Sequence, residues 1–367
     1  MTLTQRPSRR GLGLGVLATG AAAALPATAR AQTATPWRKL STVAYPGKQD
    51  DIAFASPDIG WYGNGAGKLY QTVDGGETWS AVWEQPGTFI RALGFIDDKV
   101  GFLGNVGVGY YPNVSDQKPL YRTEDGGRTW TAITAPGIEA VGGICGIDIL
   151  PVKQIFQGEV RTGHIIHAAG RVGGPPAILS SRDSGQTWSV QDLSSQIGMI
   201  LDVRFLSPST GFLCAASSAD LEQANAMILR TTDGGLNWAP VYRSNRPFEN
   251  CWKMSWPSAR VGYATVQSYL DSPENTRRLV IKTVDGGASW QELDLVVEAG
   301  VQEFGIGFVN DQWGWVGCRA GGYETRDGGR TWAPVAFGRA VNKIRVVQAG
   351  RVTRAFAIGV DVYRLDL

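Results

Sequence analysis

Apolar and polar residues alternate in short runs along this chain, and turn-forming residues separate the runs. Asp51-Ile52-Ala53-Phe54-Ala55 has the period of two that marks a half-buried strand. Ser56-Pro57-Asp58 turns. Gly60-Trp61-Tyr62-Gly63 predicts a second strand, Lys68-Leu69-Tyr70-Gln71-Thr72 a third, and Trp79-Ser80-Ala81-Val82 a fourth. The order recurs. Ile90 to Phe95 precedes Val100 to Leu103, Ile144 to Leu150 precedes His164 to Ala168, and Leu201 to Phe205 precedes Gly211 to Ala215. Trp252 to Trp256 then precedes Val261 to Val266, and Gly305 to Val309 precedes Gly314 to Gly317. A last set, Lys343 to Val347, Ala355 to Gly359 and Asp361 to Leu365, has three strands and no fourth.

One turn punctuates every complete set. Thr72-Val73-Asp74-Gly75-Gly76-Glu77-Thr78-Trp79 returns, with substitutions, five more times, with its aspartate at Asp125, Asp183, Asp233, Asp285 and Asp327. The aspartates are 51, 58, 50, 52 and 42 residues apart, the spacing of a repeat architecture. Asp followed by Gly-Gly makes a tight turn, because glycine adopts backbone angles that a Cβ forbids and a short carboxylate accepts bonds from the turn's own amides. The flanking hydroxyls bond locally in the same way. The tryptophan opens the next strand and offers apolar surface to a neighbouring unit. Carboxylates saturated by backbone donors are poor general acids, so the six aspartates read as structural.

Four strands per repeat make one propeller blade, which predicts an all-β, seven-bladed β-propeller over residues 37–367. The fourth strand missing from the last blade is Trp37-Arg38-Lys39-Leu40, which has the shape of the other tryptophan-led strands without the turn before it. The ring therefore closes by pairing the N-terminal strand in the C-terminal blade, which removes sheet edges. Loops alternate between the two faces of such a ring. The aspartate turns and first-to-second turns share one face. The long second-to-third loops, Asn105 to Pro119, Ser217 to Ala226 and Gln267 to Arg278, share the other, where binding residues are expected. Candidates for partner binding are Arg91, Lys253 and Lys343 at the starts of inner strands, Arg204 and Arg345 further in, and Arg277, Arg278, Tyr110 and Tyr111 on long loops.

Composition agrees with a turn-rich all-β protein: 48 Gly and 13 Trp in 367 residues. Residues 1–31 read as an export signal. Ser8-Arg9-Arg10-Gly11-Leu12 resembles a twin-arginine motif, an apolar run to Leu25 follows, and Ala27-Thr28-Ala29 or Ala29-Arg30-Ala31 offers a cleavage site. This leader holds four of the 35 basic residues and none of the 33 acidic ones, so the remainder carries 31 against 33, a net charge of −2. No basic field of the kind nucleic acid requires is present, and no segment past the leader is apolar enough to span a membrane. Cys145, Cys214, Cys251 and Cys318 fall in strands of four different repeats. Buried free thiols are the preferred reading, although an exported protein could pair them in three ways.

Catalytic and metal constellations are not found. His164 and His167, the only histidines, are three apart in a strand and point to opposite faces, so they make poor co-ligands. Gly107-Val108-Gly109 opens no helix, and Asp97-Asp98 and Asp50-Asp51 read as turn or strand-edge acids. No cofactor or metal is expected.

The repeated turn is identified as the Asp-box, or bacterial neuraminidase repeat. It is similar to the boxes of sialidases, sortilin-type receptors, some glucanases and the photosystem II assembly/stability factors. In those families the box lies on the hairpin between the third and fourth strands, away from the functional centre. The pattern Asp51-Ile52-Ala53-Phe54, Gly60-Trp61, Leu69-Tyr70, Thr72-x-Asp74-Gly75-Gly76-x-Thr78-Trp79, carried over nearly all of residues 37–367, most resembles the photosystem II assembly/stability factor family. That resemblance implies a non-catalytic protein of the periplasm or thylakoid lumen; a monomer is expected. It implies that the protein binds an unassembled membrane-complex subunit through an arginine-rich surface. The alternative is a sialidase-like or other glycan-processing enzyme. The Phe/Tyr-Arg-Ile-Pro motif of sialidases is not satisfied by Phe89-Ile90-Arg91-Ala92 or Asn245-Arg246-Pro247.

Overall fold

The computed structural model describes residues 36–47, 49–156, 159–270, 276–298 and 300–367, and the leader expected over residues 1–31 lies outside them. The described strands form seven four-stranded antiparallel sheets. A short strand, β1 (Arg38–Lys39), comes first. Blade 1 is β2 (Gln49–Phe54), β3 (Gly60–Asn64), β4 (Lys68–Thr72) and β5 (Ser80–Glu84). Blade 2 is β6 (Ile90–Phe95), β7 (Gly101–Asn105), β8 (Leu120–Thr123) and β9 (Thr131–Ala132). Blade 3 is β10 (Gly146–Phe156), β11 (Glu159–Gly170), β12 (Ala177–Ser181) and β13 (Ser189–Asp192). Blade 4 is β14 (Met199–Phe205), β15 (Gly211–Ala216), β16 (Ala226–Thr231) and β17 (Ala239–Arg243). Blade 5 is β18 (Glu249–Ser255), β19 (Gly262–Ser268), β20 (Arg277–Thr283) and β21 (Gln291–Val297). Blade 6 is β22 (Glu303–Phe308), β23 (Gly314–Cys318), β24 (Ala320–Thr325) and β25 (Ala333–Arg339). Blade 7 is β26 (Lys343–Ala349), β27 (Val352–Ile358), β28 (Val362–Asp366) and, as its outermost strand, β1.

The expected closure is present. β1 pairs antiparallel with β28, Arg38 opposite Arg364 and Lys39 opposite Tyr363, and the Leu40 amide donates to the Val362 carbonyl at 2.9 Å. Blade 7 packs in turn on blade 1 through Leu40, Ile52, Tyr62, Tyr70, Phe356, Ile358 and Val362.

Alternation along each strand gives every blade two apolar faces, and each face is buried against a neighbouring blade. The box tryptophan always enters the core shared with the preceding blade. Trp130 packs with Leu93 and Phe95, Trp188 with Phe102, Trp238 with Phe205, and Trp332 with Phe308. Trp37 holds the equivalent place between blades 6 and 7, with its ring 5.3 Å from that of Trp315 and 5.0 Å from that of Phe337. Full burial of one such side chain contributes about 1.5–3 kcal/mol. The fourth strands start one residue later than expected, at Ser80, Thr131, Ser189, Ala239, Gln291 and Ala333. In the first three boxes the indole turns back onto the box turn: Trp79 Nε1 donates to Gly76 O at 3.2 Å, Trp130 to Gly127 O at 3.1 Å and Trp188 to Gly185 O at 3.2 Å.

The boxes are built as expected. Thr72 Oγ1 donates to Asp74 Oδ1 at 2.8 Å and accepts from the Gly76 amide at 2.8 Å. Asp74 accepts from the Thr78 amide at 2.9 Å and from the Thr78 hydroxyl at 2.6 Å. Gly75 and Gly76 sit at φ of 71° and 91°, the left-handed region that glycine enters without strain. The Gly75 amide also donates to Asp58 O at 2.8 Å, and the same bond links Gly126 to Lys99 and Gly234 to Ser209. Box turns and first-to-second turns therefore share a face, called here the box face.

Blade 3 departs from expectation. β10 and β11 run on as one ladder from Gly146 opposite Ala169 to Phe156 opposite Glu159, well past the residues expected at 144–150 and 164–168. No Gly or Asp turn interrupts the apolar run after Leu150 until residues 157–158, so pairing continues beyond the blade. Ser184 stands where the other boxes have glycine, at φ 59°, and because this turn is displaced its amide donates to His164 O at 3.0 Å, in the strand, instead of to a turn carbonyl.

Candidate functional site

The inner strands β2, β6, β10, β14, β18, β22 and β26 line a central channel, and their side chains form tiers. The tiers register on Phe54, Phe95, Ile149, Phe205, Trp256, Phe308 and Val346. Four residues before these stand Asp50, Arg91, Cys145, Leu201, Trp252, Phe304 and Asn342, all of them buried. Arg91 Nη1 meets Asp50 Oδ2 at 2.5 Å, and the Arg91 guanidinium lies over the Trp252 ring at 4.9 Å, spanning from blade 2 to blade 5. Cys145, Leu201, Trp252 and Phe304 join one apolar cluster. This tier closes the channel on the side away from the boxes.

The next tier, three residues before the reference positions, holds Asp51, Ala92, Gly146, Asp202, Lys253, Gly305 and Lys343. Several inner strands carry a bulge here, as at Gln49/Asp51, Ile90/Ala92 and Ile200/Asp202. Bulges re-aim side chains, and these turn the acids onto the next blade. Asp51 accepts from the Leu93 amide at 3.0 Å, and Asp202 from the Met254 amide at 3.1 Å. Lys253 Nζ crosses to the Cys145 and Leu201 carbonyls at 2.9 and 2.7 Å and lies 3.6 Å from Asp202. Lys343 Nζ reaches across the ring, 3.9 Å from Asp51 and 3.7 Å from Asp202. Burial lowers the Lys343 ammonium below its ordinary range, and the two carboxylates only partly offset this. Asp202 is held below the usual carboxylate range; its burial works the other way but is outweighed by Lys253 and Lys343.

The outermost tier holds Asp148, Arg204, Ser255 and Arg345. Arg204 Nη1 donates to Asp148 at 2.7 Å, while Asp148 also accepts from the Phe205 amide at 2.8 Å. Arg345 donates to Ile52 O at 3.1 Å and to Asp51 at 3.3 Å. Side-chain exposure rises outward from 4% at Lys253 through 13% at Lys343 and 29% at Arg345 to 45% at Arg204. The result is a blind, charged cup open on the box face, with two lobes of about 320 and 260 Å³.

Sequence-expected residues thus divide. Lys253, Lys343, Arg204 and Arg345 come together in the cup. Contrary to the expectation that they lie near the loop face, Arg91 and Lys253 are turned into the channel by their positions in the repeat, where each is 3% exposed, and the cup that gathers Lys343, Arg204 and Arg345 opens on the box face instead. Arg278 is likewise corrected. It is 2% exposed beside β22, near Glu303, whose carboxyl is pushed up to about 8 by burial. Arg277 remains on the outside, paired with Asp294 and 3.9 Å from Glu292. Tyr111 stacks on Phe89 at 4.7 Å and Tyr110 meets Tyr111 edge-on at 4.8 Å, leaving Tyr110 37% exposed on the loop face. Asp50 and Asp51, read as turn or edge acids, are buried channel acids. Comparing inner strands at a fixed offset from the large apolar residue near their end, Phe54, Phe95, Ile149, Phe205, Trp256, Phe308 or Val346, reveals them, together with Asp148 and Asp202. Asp97 is a turn acid, accepting from the Lys99 and Val100 amides. His167 stacks on Phe205 at 3.6 Å, and burial lowers its imidazole to about 3, so it packs as a neutral aromatic. The four cysteines are free and buried. Among the described residues no group of His, Cys, Asp and Glu is placed to hold a metal ion.

No protein-family model matches the chain. The xyloglucanase Xgh74A of Acetivibrio thermocellus is 26% identical over 209 residues, 49% of this chain and 23% of the relative. The photosystem II assembly lipoprotein Ycf48 of Synechococcus sp. is 25% identical over 150 residues, 41% of this chain and 40% of the relative. The chain spans less than half the length of either curated relative. Among solved structures, YCF48 bound to D1 peptide superposes with a TM-score of 0.60 at 19% identity, over 91% of this chain and 98% of that one. The GH74 xyloglucanase of Xanthomonas campestris superposes with a TM-score of 0.61 at 14% identity, over 90% of this chain and 53% of that one. In fold the chain is similar to both.

Proposed function

We propose that this chain is an exported, non-catalytic binding scaffold that assists the assembly or stability of a membrane protein complex. The observation that carries the reading is the two-way extent of its likeness to the YCF48 structure, 91% of one chain on 98% of the other. The chemistry of the ring supports it. A glycosidase needs two carboxyl groups free to act at one bond, one of them with a raised pKa. In the cup Asp51, Asp148 and Asp202 are each tied to a cation and a neighbouring amide, and Asp202 is depressed. Glu303, which is raised, is wholly buried. Among the described residues no helix is long and apolar enough to cross a membrane. The twin-arginine-like leader supports export to the periplasm, or to the thylakoid lumen of an oxygenic phototroph. Tyr110, Tyr111 and Arg277 offer partner contacts outside the channel, and Arg204 and Arg345 offer them at its mouth.

The partial identity to a xyloglucanase favours a second reading, a glycan-processing enzyme. One experiment separates the two. Tagged wild type and the variants Tyr110→Ala/Arg277→Glu and Arg204→Glu are used to capture partners from solubilised host membranes. The same preparations are assayed against a glycan panel. The scaffold reading expects one specific membrane subunit, lost by about tenfold or more in at least one variant, and no turnover. Glycan release by wild type with an unchanged capture profile overturns it.

A further inference from the structure

We propose that the blind cup on the box face binds a small oxyanion, a low-molecular-weight carboxylate or inorganic phosphate, through Lys343, Arg345 and Arg204. This does not depend on the scaffold reading. Three observations carry it. The charges that line the cup do not balance. Among the described residues Lys253, Lys343, Arg204 and Arg345 face three carboxylates, Asp51, Asp148 and Asp202, one fewer than the cations.

The second observation concerns unused donors. Lys253 is satisfied by two carbonyls, but Lys343 has no protein acceptor within hydrogen-bonding distance among the described residues, since its carboxylates stand at 3.7 and 3.9 Å. An ammonium group this deep, 13% exposed, has three N–H donors to satisfy. Arg345 uses Nε and Nη2, and Arg204 uses Nη1, so each guanidinium keeps further donors while lining the same cavity.

The third is shape. The tier of Arg91, Trp252 and Phe304 closes the inner end, so a ligand enters from the box face only and must be short. The lobe that Lys343, Arg345 and Arg204 share, about 260 Å³, suits a molecule of a few heavy atoms. Apart from these charged groups and Gln348, the cup's walls are backbone and small or apolar side chains, so its recognition is mainly electrostatic. A metal cation would meet the excess positive charge and is disfavoured.

The test measures thermal unfolding of the full chain in sodium succinate, sodium phosphate and sodium chloride at matched ionic strength. A saturable rise in Tm with succinate or phosphate, absent with chloride, is expected, and the salt with the lower half-saturation identifies the chemistry. Arg204→Gln should raise the half-saturation concentration about tenfold, the loss of one charge-assisted hydrogen bond. Lys343→Met should abolish the effect. Should Lys343→Met fail to fold, Arg204→Gln, at an exposed position, decides alone. Equal shifts in all three salts, or half-saturation unchanged in Arg204→Gln, overturn the proposal.

Discussion

Each box aspartate engages both carboxylate oxygens in its own turn, and this sets how the protein responds to acid. Asp74 is lowered to about 2 by the Thr78 hydroxyl and amide, and Asp233 to about 2 by the Asn237 side chain and amide. Asp125 reaches about 2 although its partial burial opposes the fall, because the Thr129 hydroxyl and amide outweigh it. A carboxyl depressed in the folded state stabilises fully above its unfolded value, about 4, and that contribution disappears as pH falls towards 2. The box contribution, read as the Tm difference between wild type and a box variant, should therefore be level from pH 5 to 7 and shrink as pH falls from 4 towards 2. Asp125→Asn should melt below wild type at pH 7, and the gap should close by pH 2. A gap that persists at pH 2 would show that the turn is held by something other than the ionised carboxylate.

At the scale of elements, the shortest strand does the most. β1 is two residues long, yet it brings Trp37 into the blade 6–7 core and Leu40 into the blade 7–1 core. Trp37→Ala should cost about 3 kcal/mol in chemical denaturation. The extended β10–β11 hairpin has the opposite character. Lys153, Glu159, Val160, Arg161 and Thr162 are exposed, so replacing residues 152–162 by a four-residue turn should leave Tm within about 2 °C of wild type. A larger loss would mean that the ribbon braces its blade. Blade number, box geometry and the closing strand were legible because each repeat repeats its turn chemistry. The hairpin was not, since continued pairing depends on a turn signal that is merely displaced. The cup was half legible. Its four cations were identified singly, but their carboxylates emerge only when Asp51 and Asp202 are aligned at one offset and Asp148 at another.

At the scale of the molecule, the ring is asymmetric along its axis. One end of the channel is sealed by buried aromatics and an ion pair, and the other is open and charged. Breaking the Asp50–Arg91 pair from one side, with Asp50→Ala, strands a buried guanidinium and should destabilise the ring by about 3–5 kcal/mol. A double replacement by apolar residues should restore most of that loss. Closure by β1 has a further consequence for a chain that emerges from the ribosome N-terminus first. Arg38 pairs with Arg364, so the first strand made waits for the last. A chain cut short within blade 7 leaves Trp37 and Leu40 without a seat and blade 1 with an open flank. The joint thereby couples the two most distant strands of the ring: Trp37 and Leu40 are covered only once blade 7 has formed and β1 has paired with β28.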